Sequence, residues 1–102
     1  MGLDINIVSV HRVVATKPAD AYVGSQYDRT PKWRQVAYER GAWDLHELLA
    51  KLYHKQGGTQ EEFNNVNVRL YKRDLRLFCA PLAEAILEHM KKGRVVYAES
   101  SF

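Results

Sequence analysis

The chain has 102 residues, 46% of them hydrophobic and 26% charged. That is the composition of one globular domain spanning 1–102, not of a disordered or low-complexity chain. Fifteen Lys and Arg against 12 Asp and Glu leave a formal charge of +3, too small an excess to demand a nucleic-acid partner. Cys79 is the single cysteine, which excludes an internal disulfide framework and fits a reducing compartment. The start Met1-Gly2-Leu3-Asp4 carries no basic n-region, and the apolar run Ile5 to Val10 is too short for a signal or membrane core. Gly2 opens a myristoylation motif that fails at Asn6. A cytosolic protein with no membrane partner is expected.

In chain order, Leu3 to Ala15 is rich in Ile and Val and reads as a strand, apolar on both faces and therefore central in its sheet. Residues 16–31 hold Lys17-Pro18, Gly24-Ser25 and Thr30-Pro31 and read as a long loop or hairpin excursion. From Lys32 to about Gln56 the spacing of Tyr38, Ala42, Leu45, Leu49 and Leu52 predicts a helix. Thr30 is its expected N-cap, Pro31 its first position and Gly57-Gly58 its stop. Val66, Val68 and Leu70 alternate with polar partners as a short strand. Leu75, Phe78, Cys79, Leu82, Ile86 and Met90 predict a second helix, kinked or restarted at Pro81 and stopped by Gly93. Arg94 to Ala98 closes the order as a strand. The fold class is α+β: a small, mostly antiparallel sheet with two amphipathic helices packed on one face, in the order β-loop-α-β-α-β.

Three stretches carry a family resemblance. The opening Met1-Gly2-Leu3-Asp4, the run Val36-Ala37-Tyr38-Glu39-Arg40-Gly41-Ala42-Trp43-Asp44-Leu45-His46, and Arg73-Asp74-Leu75 through Phe78-Cys79 are involved. Together they resemble a family of small uncharacterised bacteriophage and prophage proteins that begin Met-Gly-Leu-Asp-Met-Tyr-Leu. Glu39 and Trp43 stand where that family has Trp and Asn. The resemblance implies a phage-type origin in a bacterial cytoplasm and assigns no chemistry. Family members run on beyond the point where this chain stops, so Arg94 to Ala98 is expected to be an open sheet edge. Such an edge could pair with a second copy into a homo-dimer.

No catalytic constellation is present in the sequence. Cys79 lies on the apolar stripe of the second helix, the place of a core filler and not of a nucleophile. There is no Gly-x-Ser-x-Gly elbow and no glycine-rich phosphate loop. His11, His46, His54 and His89 are scattered without metal-ligand spacing. No metal, no cofactor and no enzymatic activity are expected.

Binding is the class that remains. Tyr27, Trp33, Arg34 and Trp43 have the residue types of interface anchors, which points to a host protein or complex as partner and to inhibition of a host defence or regulatory system. A second reading is a small nucleic-acid-binding module. Arg29, Lys32 and Arg34 gather at one helix start and Arg69, Arg73 and Arg76 at the other, with Tyr and Trp interleaved. A third is a small-ligand pocket near Tyr38 and His46. The favoured reading of His46 is structural, hydrogen-bonded to backbone on a stripe packed under the Tyr-rich loop.

Overall fold

The computed structural model describes residues 2–11, 19 and 34–102. Its strands are β1 (Asp4–His11), β2 (Arg34–Arg40), β3 (Asn67–Leu70) and β4 (Arg94–Ser101). Its helices are α1 (Trp43–Lys55) and α2 (Ala80–Lys91), with a 3₁₀ turn at Lys72–Leu77. The strands form one antiparallel sheet in the order β2-β1-β4-β3. The architecture is α+β.

β1 is central, as its two-sided apolar pattern predicts. Leu3, Ile5, Ile7 and Ser9 point to one face, and Val8 and Val10 are buried on the other beside Val95 and Tyr97. The first face is the helix face. Val68, Leu70, Val96 and Ala98 join the β1 residues there against Leu49, Leu52 and Tyr53 of α1 and Leu82 and Ile86 of α2. Each Leu or Ile withdrawn from water contributes about 1.5–3 kcal/mol before entropy is counted. That face holds both helices, and a side-chain hydrogen bond fastens each: His46 of α1 to Ser100, and His89 of α2 to Ser9.

The helix expected over 32–56 is corrected. Residues 34–40 are β2, paired with β1 from Asp4↔Arg40 to Ser9↔Arg34, and α1 begins at Trp43. Gly41, at φ +70°, makes the corner between them and donates its N–H to Leu3 O at 2.8 Å. A residue with a Cβ is disfavoured at that φ, so the turn is written in the glycine. Val36 and Ala37 both pack against the core because the β1–β2 register shifts between Ile7 and Val8. The resemblance segment 36–46 therefore spans a strand, a corner and a helix start. The expected N-cap Thr30 and first-turn Pro31 lie outside the described residues.

Two further expectations change. Pro81 restarts the helix: the 3₁₀ turn stops at Leu77, Phe78 and Cys79 are extended, and α2 begins at Ala80 with Pro81 in its first turn. Cys79 is consequently exposed at the cap of α2 and not on its apolar stripe. The C-terminal strand is not an open edge either. β4 runs to Ser101 between β1 and β3, hydrogen-bonded on both sides, so the proposed pairing of two copies through it has no free edge to use. Among the described residues no helix is long and apolar enough to cross a membrane.

Candidate functional site

The Pro81 restart shapes the main concavity. Breaking the chain at Phe78-Cys79 opens a groove of about 580 Å³ between the start of α1 and the start of α2. Trp43, Leu45 and Leu48 form one wall; Leu77, Phe78 and Leu82 form the other. Among the described residues its lining includes two carboxylates, Glu39 and Asp44, and no cation. Trp43 is 47% exposed and Leu77 45% exposed, two of the three large hydrophobic side chains most open to water among the described residues. The remaining one is Tyr38. A volume of this size lies within the ~300–1,000 Å³ range of ligand-binding clefts.

Behind Trp43 sits an aromatic cluster. The His46 ring lies 5.4 Å from Trp43, 5.1 Å from Phe102 and 5.9 Å from Phe63. Asn64 clips Phe102 in place, accepting its N–H at 3.0 Å and donating to its carbonyl at 3.3 Å. His46 Nδ1 and Ser100 Oγ are 2.9 Å apart. Burial holds the His46 pKa below the ordinary value, against the opposing pull of Glu47 and Glu62. The hydrogen-bond partner of His46 is thus a serine side chain and not the backbone expected from the sequence, and the tyrosines of the loop expected above it lie outside the described residues.

The second Ser–His contact is at the opposite end of the helix face. Ser9 Oγ lies 2.7 Å from His89 Nδ1, while Arg94 donates to the same oxygen from Nε at 2.7 Å and to Ser9 O from Nη2 at 3.0 Å. With one donor already on Oγ, the arrangement suits a neutral imidazole whose Nδ1 accepts the hydroxyl proton. Burial lowers the His89 pKa first, and Arg94, Lys92 and Arg34 lower it further. A serine beside a histidine is the beginning of a nucleophile–base pair. Ser9 and Ser100 are both 0% exposed, so no substrate can reach either oxygen. These pairs join helix to sheet.

The sequence candidates are dispersed. Tyr27, Arg29, Lys32 and Trp33 lie outside the described residues. Arg34 opens β2, whereas Trp43 opens α1 beyond the Gly41 corner at the far end of that strand. Tyr38 donates its hydroxyl hydrogen to Asp4 on the sheet face away from the helices, and His46 is on the helix face, so the two do not share a pocket. Arg69 and Arg73 do come together, their guanidinium carbons 4.7 and 4.5 Å from the centre of the Tyr71 ring. Arg76 is exposed further along the same turn. Arg34, on the other edge strand, is not part of that group.

Phe78 and Leu82 are groove residues that the sequence pattern placed on the apolar stripe of the second helix, and Leu77 is a groove residue that the pattern did not single out. The available signal was Pro81, read as a restart with an extended stretch before it. Among the described residues, no group of three or more His, Cys, Asp or Glu is placed to hold a metal ion.

Fold and site together define an α+β protein with an open apolar groove. Comparison with protein-family models, with curated proteins and with solved structures finds no match to the chain.

Proposed function

We propose that the chain is a non-enzymatic, phage-type accessory protein of the bacterial cytoplasm. In this reading it binds a host protein and inhibits a defence or regulatory system, in the manner of an anti-CRISPR protein. The observation that carries the reading is the groove, with Trp43 and Leu77 at its rim, each nearly half exposed. Covering two such side chains contributes roughly 1.5–3 kcal/mol apiece, and an aromatic anchor beside a cleft is the usual form of a binding hot spot. The occupant is an apolar segment of the partner flanked by a basic residue. Glu39 and Asp44 in the lining favour such a cation, and no cation of the lining repels it. The resemblance of residues 1–14, 36–49 and 70–90 to phage and prophage proteins supports the setting and supplies no part of the chemistry.

Affinity purification from bacterial lysate with three baits tests this: the unaltered chain, Trp43→Ala and Leu77→Ala. The expected result is a host protein recovered with the unaltered chain and reduced at least tenfold with both variants, whose melting temperatures stay within a few degrees of the parent. Its binding should also be weakened by Glu39→Lys combined with Asp44→Lys, since a cation on the partner is then repelled. An identical set of proteins on all three baits would remove the groove from the reading.

A further inference from the structure

We propose a second binding site at the end of β3, centred on Tyr71 and taking a phosphate-bearing polyanion. It lies at the other end of the 3₁₀ turn from the groove and does not depend on it. Arg69 and Arg73 both stack on the Tyr71 ring, at 4.7 and 4.5 Å from its centroid. Two like charges are therefore held within about 10 Å of each other, inside one Debye length at ordinary salt. Two clefts of about 280 Å³ each flank the ring. One is lined by Arg69, Lys72 and Arg94, the other by Lys55 and Arg73.

Five cations thus line the clefts on either side of one aromatic ring, Arg94 among them held by Ser9. Asp74 is the single acidic residue among the described residues that line the two clefts. It is 6% exposed, and its Oδ2 is engaged by the Tyr71 N–H at 2.8 Å. Arg69 Nε is buried without a hydrogen-bond partner, a donor short of an acceptor where an unmet hydrogen bond costs about 1–3 kcal/mol. Gln56 donates from Nε2 to Arg69 O at 3.0 Å and fixes the end of the strand. Its Oε1 is also buried and unpartnered, an acceptor that water can serve and an anion cannot.

The guanidinium planes laid on the ring are pre-ordered, with N–H forks suited to tetrahedral oxyanions. Each cleft is smaller than the usual small-molecule pocket, which suits successive phosphate groups and not a whole compact ligand. With two guanidiniums on the Tyr71 ring, recognition rests on the phosphates and is insensitive to base sequence. Single-stranded nucleic acid and inorganic polyphosphate share this chemistry.

Fluorescence anisotropy with a labelled oligothymidylate of roughly 20 nucleotides, titrated at several salt concentrations, tests the site. Binding is expected at low salt. Lys72→Gln and Arg73→Gln, both at exposed positions, should each weaken it several-fold and reduce the slope of log K against log salt by roughly 0.7. Tripolyphosphate that displaces the oligonucleotide makes free polyphosphate a sufficient ligand. Failure to displace, with the variant effects retained, makes the nucleic-acid strand the source. The proposal is overturned by no binding at low salt, or by binding that the Lys72→Gln/Arg73→Gln double variant leaves unchanged. Poly-glutamate displacing as well as tripolyphosphate also overturns it, by making this a site for acidic peptides.

Discussion

Gly58→Ala is expected to destabilise the fold by about 1–3 kcal/mol, the usual cost of forcing extra volume into a packed site. No special backbone angle is involved. A methyl group on Gly58 would overlap the ring of Tyr53, which is 0% exposed and cannot swing aside. That ring lies 5.3 Å from Phe63, and its hydroxyl accepts the Gln60 N–H at 2.9 Å. The Gly58 N–H in turn bonds Tyr53 O at 2.9 Å, so the loop after α1 is wrapped closely over the side chain it would have to displace. Urea or thermal unfolding reads the loss, at about 4–8 °C per kcal/mol for a domain of this size. Gly57→Ala separates steric from conformational cost: its φ is +89° and nothing stands within 4 Å. It should cost only about 1 kcal/mol through backbone strain. Tyr53→Leu leaves room beside position 58, so the pair Gly58→Ala/Tyr53→Leu should lose less than the sum of its parts. Strict additivity would show that the ring is not the obstacle.

Legibility in the sequence followed how local each determinant is. β1 is readable because its Ile and Val residues fill both faces of a central strand. The second half of α1 is readable because Leu45, Leu49 and Leu52 repeat at helical spacing and Gly57 ends them. β2 is an edge strand with mostly exposed side chains, so no hydrophobic alternation marks it. Its Tyr38 happens to fall in phase with the α1 stripe, which extends the apparent helix across Gly41. The α2 stripe continues backwards across Pro81 for the same reason: periodicity survives a break that a missing N–H enforces. The sites are less legible still. Trp43 and Leu77 line one groove only because the start of α1 is folded beside the segment that leads into α2, and the Ser9–His89 and Ser100–His46 bonds join residues 80 and 54 positions apart. A serine on an otherwise apolar strand face was the one local hint that something polar lies across from it. The basic group around Tyr71 was visible in part, because Arg69 and Arg73 are close in sequence as well as in space.

Stability is expected to fall as the pH is lowered from 7 towards 5, and the two buried Ser–His contacts supply the reason. His46 and His89 both have pKa values held below the ordinary histidine value by burial, and His89 also by the charges of Arg94, Lys92 and Arg34. In the unfolded chain each returns to about 6.5. Between the folded and unfolded values the unfolded state carries more protons, so acidification favours unfolding. The contribution is complete above about pH 6.5 and is lost as the pH falls through the folded pKa. Linkage limits the slope to about 1.4 kcal/mol per pH unit for each histidine, and partial exposure brings the actual figure below that limit. The two sites should not respond equally. A proton on His89 Nδ1 would have to be donated to Ser9 Oγ, which already receives Arg94 Nε, bringing a second cationic donor onto one hydroxyl. His46 has Glu47 and Glu62 nearby to ease its charging, whereas His89 has Glu88 alone against three cations. His89→Gln should therefore flatten the pH profile of urea-unfolding midpoints more than His46→Gln does. Parallel profiles for the parent and both variants between pH 5 and 7 would mean that neither imidazole is linked to folding.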